Sequence, residues 1–193
     1  MSDNYDEILK TTQENKTKLR ELEEKSAPFD AALSEQQSEM DKLKSTLNSL
    51  EEYSRRKNIE IHGIEETVNE NPLSVVSSLA AKLGLKAPTP EEIEAIHRIK
   101  AKPYMTPPLL VLFSTTTMRD SWLSKRLALK SDDIYINENL TAYTKRLLWM
   151  AKSVGKGKSY KFVWARNGKV FMKKQEGMAV TKIVNEGSLL KLL

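Results

Sequence analysis

The chain has 193 residues, a formal net charge of +5 and no cysteine. That length has room for one or two small domains plus an extension, and the lack of cysteine excludes disulfides and thiolate metal sites and fits a reducing compartment. No apolar run approaches the roughly 18 residues that a membrane span needs, and the acidic start Met1-Ser2-Asp3-Asn4-Tyr5-Asp6-Glu7 lacks an apolar signal core, so a cytoplasmic and/or nuclear location is expected.

Charge is spread unevenly. Residues 1–54 hold 7 Lys/Arg and 13 Asp/Glu, residues 55–85 hold 4 and 4, and residues 86–193 hold 20 and 9, giving −6, 0 and +11. A basic half joined to an acidic extension is the electrostatic footprint of a polyanion binder.

The acidic extension carries a heptad pattern. Ile8, Thr12, Asn15, Leu19, Leu22, Ser26, Phe29, Leu33, Gln36, Met40, Leu43, Leu47 and Leu50 follow a 3.5-residue repeat, and nine of these thirteen are apolar. A stripe that narrow cannot be buried by one helix, so residues 1–54 are predicted to form a coiled-coil oligomerisation rod. Its seam is Ile8, Leu19, Leu22, Phe29, Leu33, Met40, Leu43, Leu47 and Leu50, with Asn15 and Gln36 setting the register. Pro28 either kinks a continuous rod or breaks it into a hairpin; the unbroken heptad frame favours the kinked rod. Dimer and trimer both fit the seam, and Lys18-Leu19-Arg20-Glu21-Leu22-Glu23 leans toward the trimer.

Arg55-Arg56-Lys57 follows, three cations ahead of the first strand and candidates for phosphate contact. Residues 55–138 then read as one small domain. A strand runs from Asn58 to Ile64, and a helix starts at Pro72 and stops at Gly84. A second strand starts near Ala95 within Ile93–Lys100, and a central one is Leu109–Phe113. A helix from Met118 to Leu129 is capped by Thr116 or Thr117 and lays Trp122, Leu123 and Leu127 on one face. Ile134–Ile136 closes the domain as a fourth strand. The order βαββαβ is that of the ferredoxin-like split unit used by RRM domains, which makes the chain α+β. The aromatic signature with which an RRM stacks bases is missing from Leu109–Phe113, and Phe113 is assigned to the core.

Residues 139–193 read as a small α/β domain. Thr141 caps a helix over Ala142–Ser153, with Leu147, Leu148, Met150 and Ala151 toward a core, Lys145 and Arg146 outward, and Trp149, like Trp122, placed in the core. Gly155-Lys156-Gly157-Lys158-Ser159 ends like a phosphate-binding loop, but the first glycine of that motif would fall at Lys152 and the flanking helix and strand are in reversed order. Tyr160–Arg166 and Lys169–Lys174 alternate around Asn167-Gly168, a strong hairpin signal. Tyr160, Phe162 and Trp164 are expected to share an apolar face with Val170 and Met172 or their neighbours, while Lys161, Arg166, Lys169 and Lys173 collect on the other and suit phosphate contacts. Tyr160 and Trp164 are candidates for base stacking. Lys100, Lys125 and Arg126 complete the cationic candidates, Val180–Val184 suggests an edge strand, and Ser188–Leu193 a last helical turn.

Nothing points to catalysis. His62 and His97 lie on different strands with no carboxylate cluster, and the pairs Glu65-Glu66 and Asp132-Asp133 read as solvated turns. No metal, no cofactor and no enzymatic activity are expected.

The motifs taken in series resemble a known family. Glu52–Glu65, His97-Arg98-Ile99, Pro107–Phe113 and Lys158–Phe162 are similar to the open-reading-frame-one proteins of LINE-type non-LTR retrotransposons. Ile136–Thr141, Lys145-Arg146-Leu147-Leu148 and Trp164–Val170 resemble more closely the FP (few-polyhedra) branch of insects and baculoviruses. The likeness runs from about residue 40 to the C-terminus. It implies a trimeric coiled coil carrying an RRM and a C-terminal domain. Together these would bind single-stranded RNA or DNA with little sequence preference and act as a nucleic-acid chaperone. The contacts it implies are Arg55, Arg56, Arg98, Arg119, Lys145, Arg146, Lys158 and Tyr160. The zinc knuckles of many insect relatives are absent. The rival expectation is a structural or adaptor protein that recruits a protein partner through its coiled coil.

Overall fold

The computed structural model describes residues 2–101, 103–190 and 192 and is of mixed α+β class. The chain forms two compact units, residues 1–47 and 48–193. Helix α1 runs over Ser2–Arg55 and passes through Pro28 without a break. Proline offers no N–H to the carbonyl one turn back, so the helix gives up one backbone bond there and continues.

Within residues 48–193 the chain builds two antiparallel sheets. The first comprises β1 (Asn58–His62), β2 (Ile93–Arg98), β3 (Leu109–Phe113) and β4 (Tyr135–Glu138) in the order β2-β3-β1-β4. Helix α2 (Pro72–Lys82) connects β1 to β2, and α3 (Thr116–Lys125) connects β3 to β4. Strand alternation sends Ile59, Ile61, Leu109, Val111 and Phe113 to one face, where they are fully buried with Val76 and Ala80 of α2 and Trp122 of α3. Phe113 packs against Trp122 with ring centroids 5.6 Å apart, as expected of a core residue.

The helix starts follow side-chain capping. Asn71 Oδ1 accepts from the Leu73 and Ser74 amides at 3.1 and 3.2 Å, ahead of Pro72 at the first helical position. Thr115, one residue earlier than expected, caps α3 by accepting from the Met118 amide at 3.3 Å. That helix is also shorter than the sequence suggests. It ends at Lys125 and tightens into a 3₁₀ segment over Arg126–Asp132. With three residues per turn the faces rotate out of the α-helical phase, so Leu129 is buried and Leu127, expected beside Trp122, is 75% exposed.

The second sheet, in order β5-β6-β7, comprises β5 (Phe162–Arg166), β6 (Lys169–Lys173) and the short β7 (Thr181–Ile183). Asn167 and Gly168 have φ of +51° and +67°, so both central turn residues are left-handed, the pattern of the tight turn that matches strand twist. Helix α4 (Ala142–Gly157) lies against this sheet, and Leu147, Ala151, Val170, Met172, Ile183 and Leu189 form a second core. Gly155 permits the close approach, since a Cβ there would stand 2.9 Å from Val163 Cγ2. The Gly155–Gly157 stretch thus ends a helix and packs on a strand, and it makes no phosphate loop. A final helix, α5, spans Glu186–Leu190; Lys191 and Leu193 of the expected last turn lie outside the described residues.

Candidate nucleic-acid interface

The hairpin sorts its side chains differently from the expectation. Cross-strand pairing sets Val163 against Met172 and Ala165 against Val170, all on the side facing α4. The other side carries Phe162 opposite Lys173, Trp164 opposite Phe171, and Arg166 opposite Lys169, with Lys182 of β7 beside Phe171. Trp164 and Phe162 therefore do not share a face with Val170 and Met172. The sequence alternates on both strands, but only the register across Asn167-Gly168 decides which residues meet. Trp164 and Phe171 stack with centroids 5.7 Å apart and an interplanar angle of 24°. Both are half-buried and neither belongs to either hydrophobic core. Lys161 sits 5.5 Å from the Phe162 ring centroid. An aromatic pair framed by Lys161, Arg166, Lys169, Lys173 and Lys182 can stack bases and neutralise phosphates at once. Phe171, the neighbour of Val170 and Met172, is the residue that shares the Trp164 face, and its cross-strand position follows from the two-residue turn. Tyr160 instead packs against the second core, with the Lys174 ammonium 5.4 Å from its ring.

The candidate cations divide by what they already hold. Arg98 is only 11% exposed. It grips both carboxylate oxygens of Glu70 and donates to the Ile64, Pro107 and Glu65 carbonyls at 2.9, 2.7 and 3.3 Å. The guanidinium hydrogen bond holds the Glu70 carboxyl below its usual range. Arg98 thereby fastens the β1–α2 loop to the β2–β3 loop, and its donors are not available to a phosphate. Arg119 is buried likewise. It donates to Asp120 Oδ1 at 2.5 Å and Asn167 Oδ1 at 2.8 Å, and Glu138 lies at 3.7 Å. Glu138 in turn accepts from the Asn167 and Gly168 amides at 3.0 and 3.1 Å, so this group seats the hairpin turn on the first sheet. At the end of α1, Arg55 is bound to Glu51 and Asn139 at 2.7 and 3.1 Å, Lys57 pairs with Glu94, and Arg56 lies over the Tyr53 ring at 3.8 Å. Lys125 and Arg126 donate to the carbonyls of Gly84 and Leu123 at 2.9 and 2.8 Å. Lys100 is exposed at the end of β2.

Strand β1 places Glu60 on the face of the first sheet turned away from α2 and α3. Its carboxylate is almost fully buried and accepts from Asn139 Nδ2 at 2.5 Å, Lys145 Nζ at 2.7 Å and His62 Nε2 at 3.3 Å. Burial opposes ionisation there, but the hydrogen bonds from His62, Lys145 and Asn139, with the Lys145 charge, outweigh it and hold the carboxyl at about 2. The face on which an RRM would stack bases is thus occupied by an ion-pair cluster reaching α4. Thr141, the α4 cap, is tied down as well: its hydroxyl donates to Asn48 Oδ1 at 2.6 Å, and its amide donates to Glu52 Oε1 at 3.0 Å.

The stretch from Asn139 to Gln175 contains ten Lys/Arg and no Asp or Glu. Arg146 meets Glu186 at 3.2 Å, and Lys145 meets Glu60. The side chains of Lys152, Lys156, Arg166, Lys169 and Lys173 make no hydrogen bond or ion pair among the described residues; Lys173 is half-buried and the other four are exposed. Lys158 is exposed at the end of α4. Along α1, the nine predicted seam residues, Ile8 to Leu50, are between 49% and 71% exposed.

Residues 141–193, the segment that holds α4 and the hairpin, match the family model for baculovirus FP protein domain 2. No curated protein matches the chain.

Proposed function

We propose that this chain is an oligomeric, sequence-nonspecific single-stranded RNA- or DNA-binding protein and nucleic-acid chaperone of the retrotransposon/FP type. The observation that carries this reading is the outer face of the hairpin, where the Trp164–Phe171 pair lies among Arg166, Lys169 and Lys173, which have no acidic partner. Every base offers a π face and every nucleotide a phosphate, so such a surface grips single strands without reading sequence. The strand order β2-β3-β1-β4 with α2 and α3 on one face supports an RRM-like domain over residues 55–138, here serving as a mount for the C-terminal domain over residues 139–193. The match of residues 141–193 to baculovirus FP protein domain 2 supports the FP side of the resemblance.

The exposed stripe of α1 supports a homo-oligomeric coiled coil, and the family resemblance favours a trimer. An apolar seam of six heptads left in water would be costly, and packing against copies of itself relieves that cost. Three copies would set three hairpin platforms on one strand and raise the apparent affinity.

The test is fluorescence anisotropy of a labelled single-stranded RNA of about 30 nucleotides, titrated with the full chain between about 50 and 200 mM salt. Affinity is expected to fall steeply with salt and to depend little on base composition. Absence of binding, together with capture of one protein that survives nuclease, would move the assignment to an adaptor that recruits a partner through α1.

A further inference from the structure

Helix α4 has an outward face that the hairpin platform does not use. Trp149 is 70% exposed, although tryptophan is highly buried on average and the core of this unit is within reach of the same helix. The apolar run Leu147–Ala151 predicts Trp149 in the core with Leu148 and Met150. The structure turns it out because Thr144, Leu147, Ala151 and Gly155 occupy the buried side. Lys145 and Arg146 lie one turn before Trp149 on the same exposed face, Lys152 one turn after, and Lys156 two turns after. No acidic residue lies anywhere in α4. Glu60 and Glu186 engage the Lys145 and Arg146 head groups, while the Lys152 and Lys156 side chains are unpaired among the described residues.

We propose that Trp149 is a second base-stacking contact for single-stranded nucleic acid, flanked by the unpaired Lys152 and Lys156 as phosphate contacts. The charge of the face selects this occupant. A neutral helix groove would suit an apolar partner, whereas an exposed indole beside two unpaired lysines suits a chain of stacked bases and phosphates. The inference rests on the nucleic-acid reading above and extends it to a new surface. Helix α4 covers one side of the second sheet, and Trp164 and Phe171 stand on the other. The two aromatic sites therefore lie on opposite sides of one helix-on-sheet layer, and a strand occupying both must pass around its edge.

The experiment compares the full chain with W149A and W149F in RNA anisotropy, and follows intrinsic fluorescence during the same titrations. W149A is expected to weaken binding roughly 5- to 100-fold, and W149F, which keeps a stacking ring, to recover most of it. Fluorescence quenching on binding is expected to shrink in W149F, since the most exposed of the three indoles is removed. Wild-type affinity in W149A, with RNA still bound in a salt-sensitive way, would overturn this contact and leave the proposed function standing. Loss of oligomer mass in W149A by sedimentation, at unchanged RNA affinity per chain, would overturn it in favour of a face that docks a second copy. No RNA binding by the wild-type chain would remove the function and this contact together.

Discussion

The face of the first sheet turned away from its helices carries Glu60 on β1, and the corresponding face of the second carries Trp164 on β5 and Phe171 on β6. Both sheets are antiparallel, and each has a helical layer on its apolar side. Their cations nevertheless do different work. Around the first sheet, Arg55, Lys57, Arg98 and Arg119 are bound to carboxylates of the same chain. Around the second, the side chains of Arg166, Lys169 and Lys173 have no acidic partner among the described residues, in a segment without acids. A count of positive charge treats the two groups alike. Burial and pairing separate a cation that holds the fold from one that can hold a phosphate.

The largest effect that would break this contrast concerns Arg98. R98A leaves Glu70 and the Ile64 and Pro107 carbonyls without their donor, and is expected to cost about 3 kcal/mol of stability, read by denaturant unfolding. The folded variant should bind RNA like the wild type; a selective loss of binding at unchanged stability would place Arg98 back in the interface. Arg119, buried and joined to the hairpin turn, should behave in the same way.

Next in size is the response to acid. The Glu60 carboxyl is depressed from 4.5 to about 2, so its contribution is complete above about pH 4.5 and is lost as pH falls toward 2. The stake is on the order of 3 kcal/mol. Thermal melts from pH 7 to pH 2 should steepen in that window, and E60Q should flatten the part of the slope due to this group. A wild-type slope in E60Q would mean that the cluster joining β1 to α4 contributes little.

On the platform, W164A is expected to weaken single-strand binding by about 1–3 kcal/mol, with anisotropy as the readout. F171A should act in the same direction, because it removes the ring against which Trp164 stacks. K169A should give the smallest change, a uniform weakening across sequences that lowers the salt slope by about 0.7 for each lost single-strand phosphate contact.

Local signals were legible in the sequence. Asn167-Gly168 between two alternating runs gave the hairpin, Pro72 and Gly84 bracketed α2, and Leu109–Phe113 read as a central strand. Phase and long-range pairing were not. In Leu147-Leu148-Trp149-Met150-Ala151 every residue is apolar, so only the packing of α4 on Val170 and Met172 shows that Trp149 points out. The partner of Arg98 is Glu70, 28 residues away, and nothing local links them. The 3₁₀ tightening over Arg126–Asp132 is likewise absent from the local signal, because the composition of that segment still reads as helix.

The most direct test of the central claim is photocrosslinking of the full chain to a single-stranded RNA carrying 4-thiouridine, with adducts mapped by mass spectrometry. Adducts on Trp164, Phe171 and neighbouring residues of β5 and β6 are expected, and β1 and β3 should stay clean. Adducts confined to Asn58–His62 and Leu109–Phe113 would contradict the account and return the interface to the first sheet.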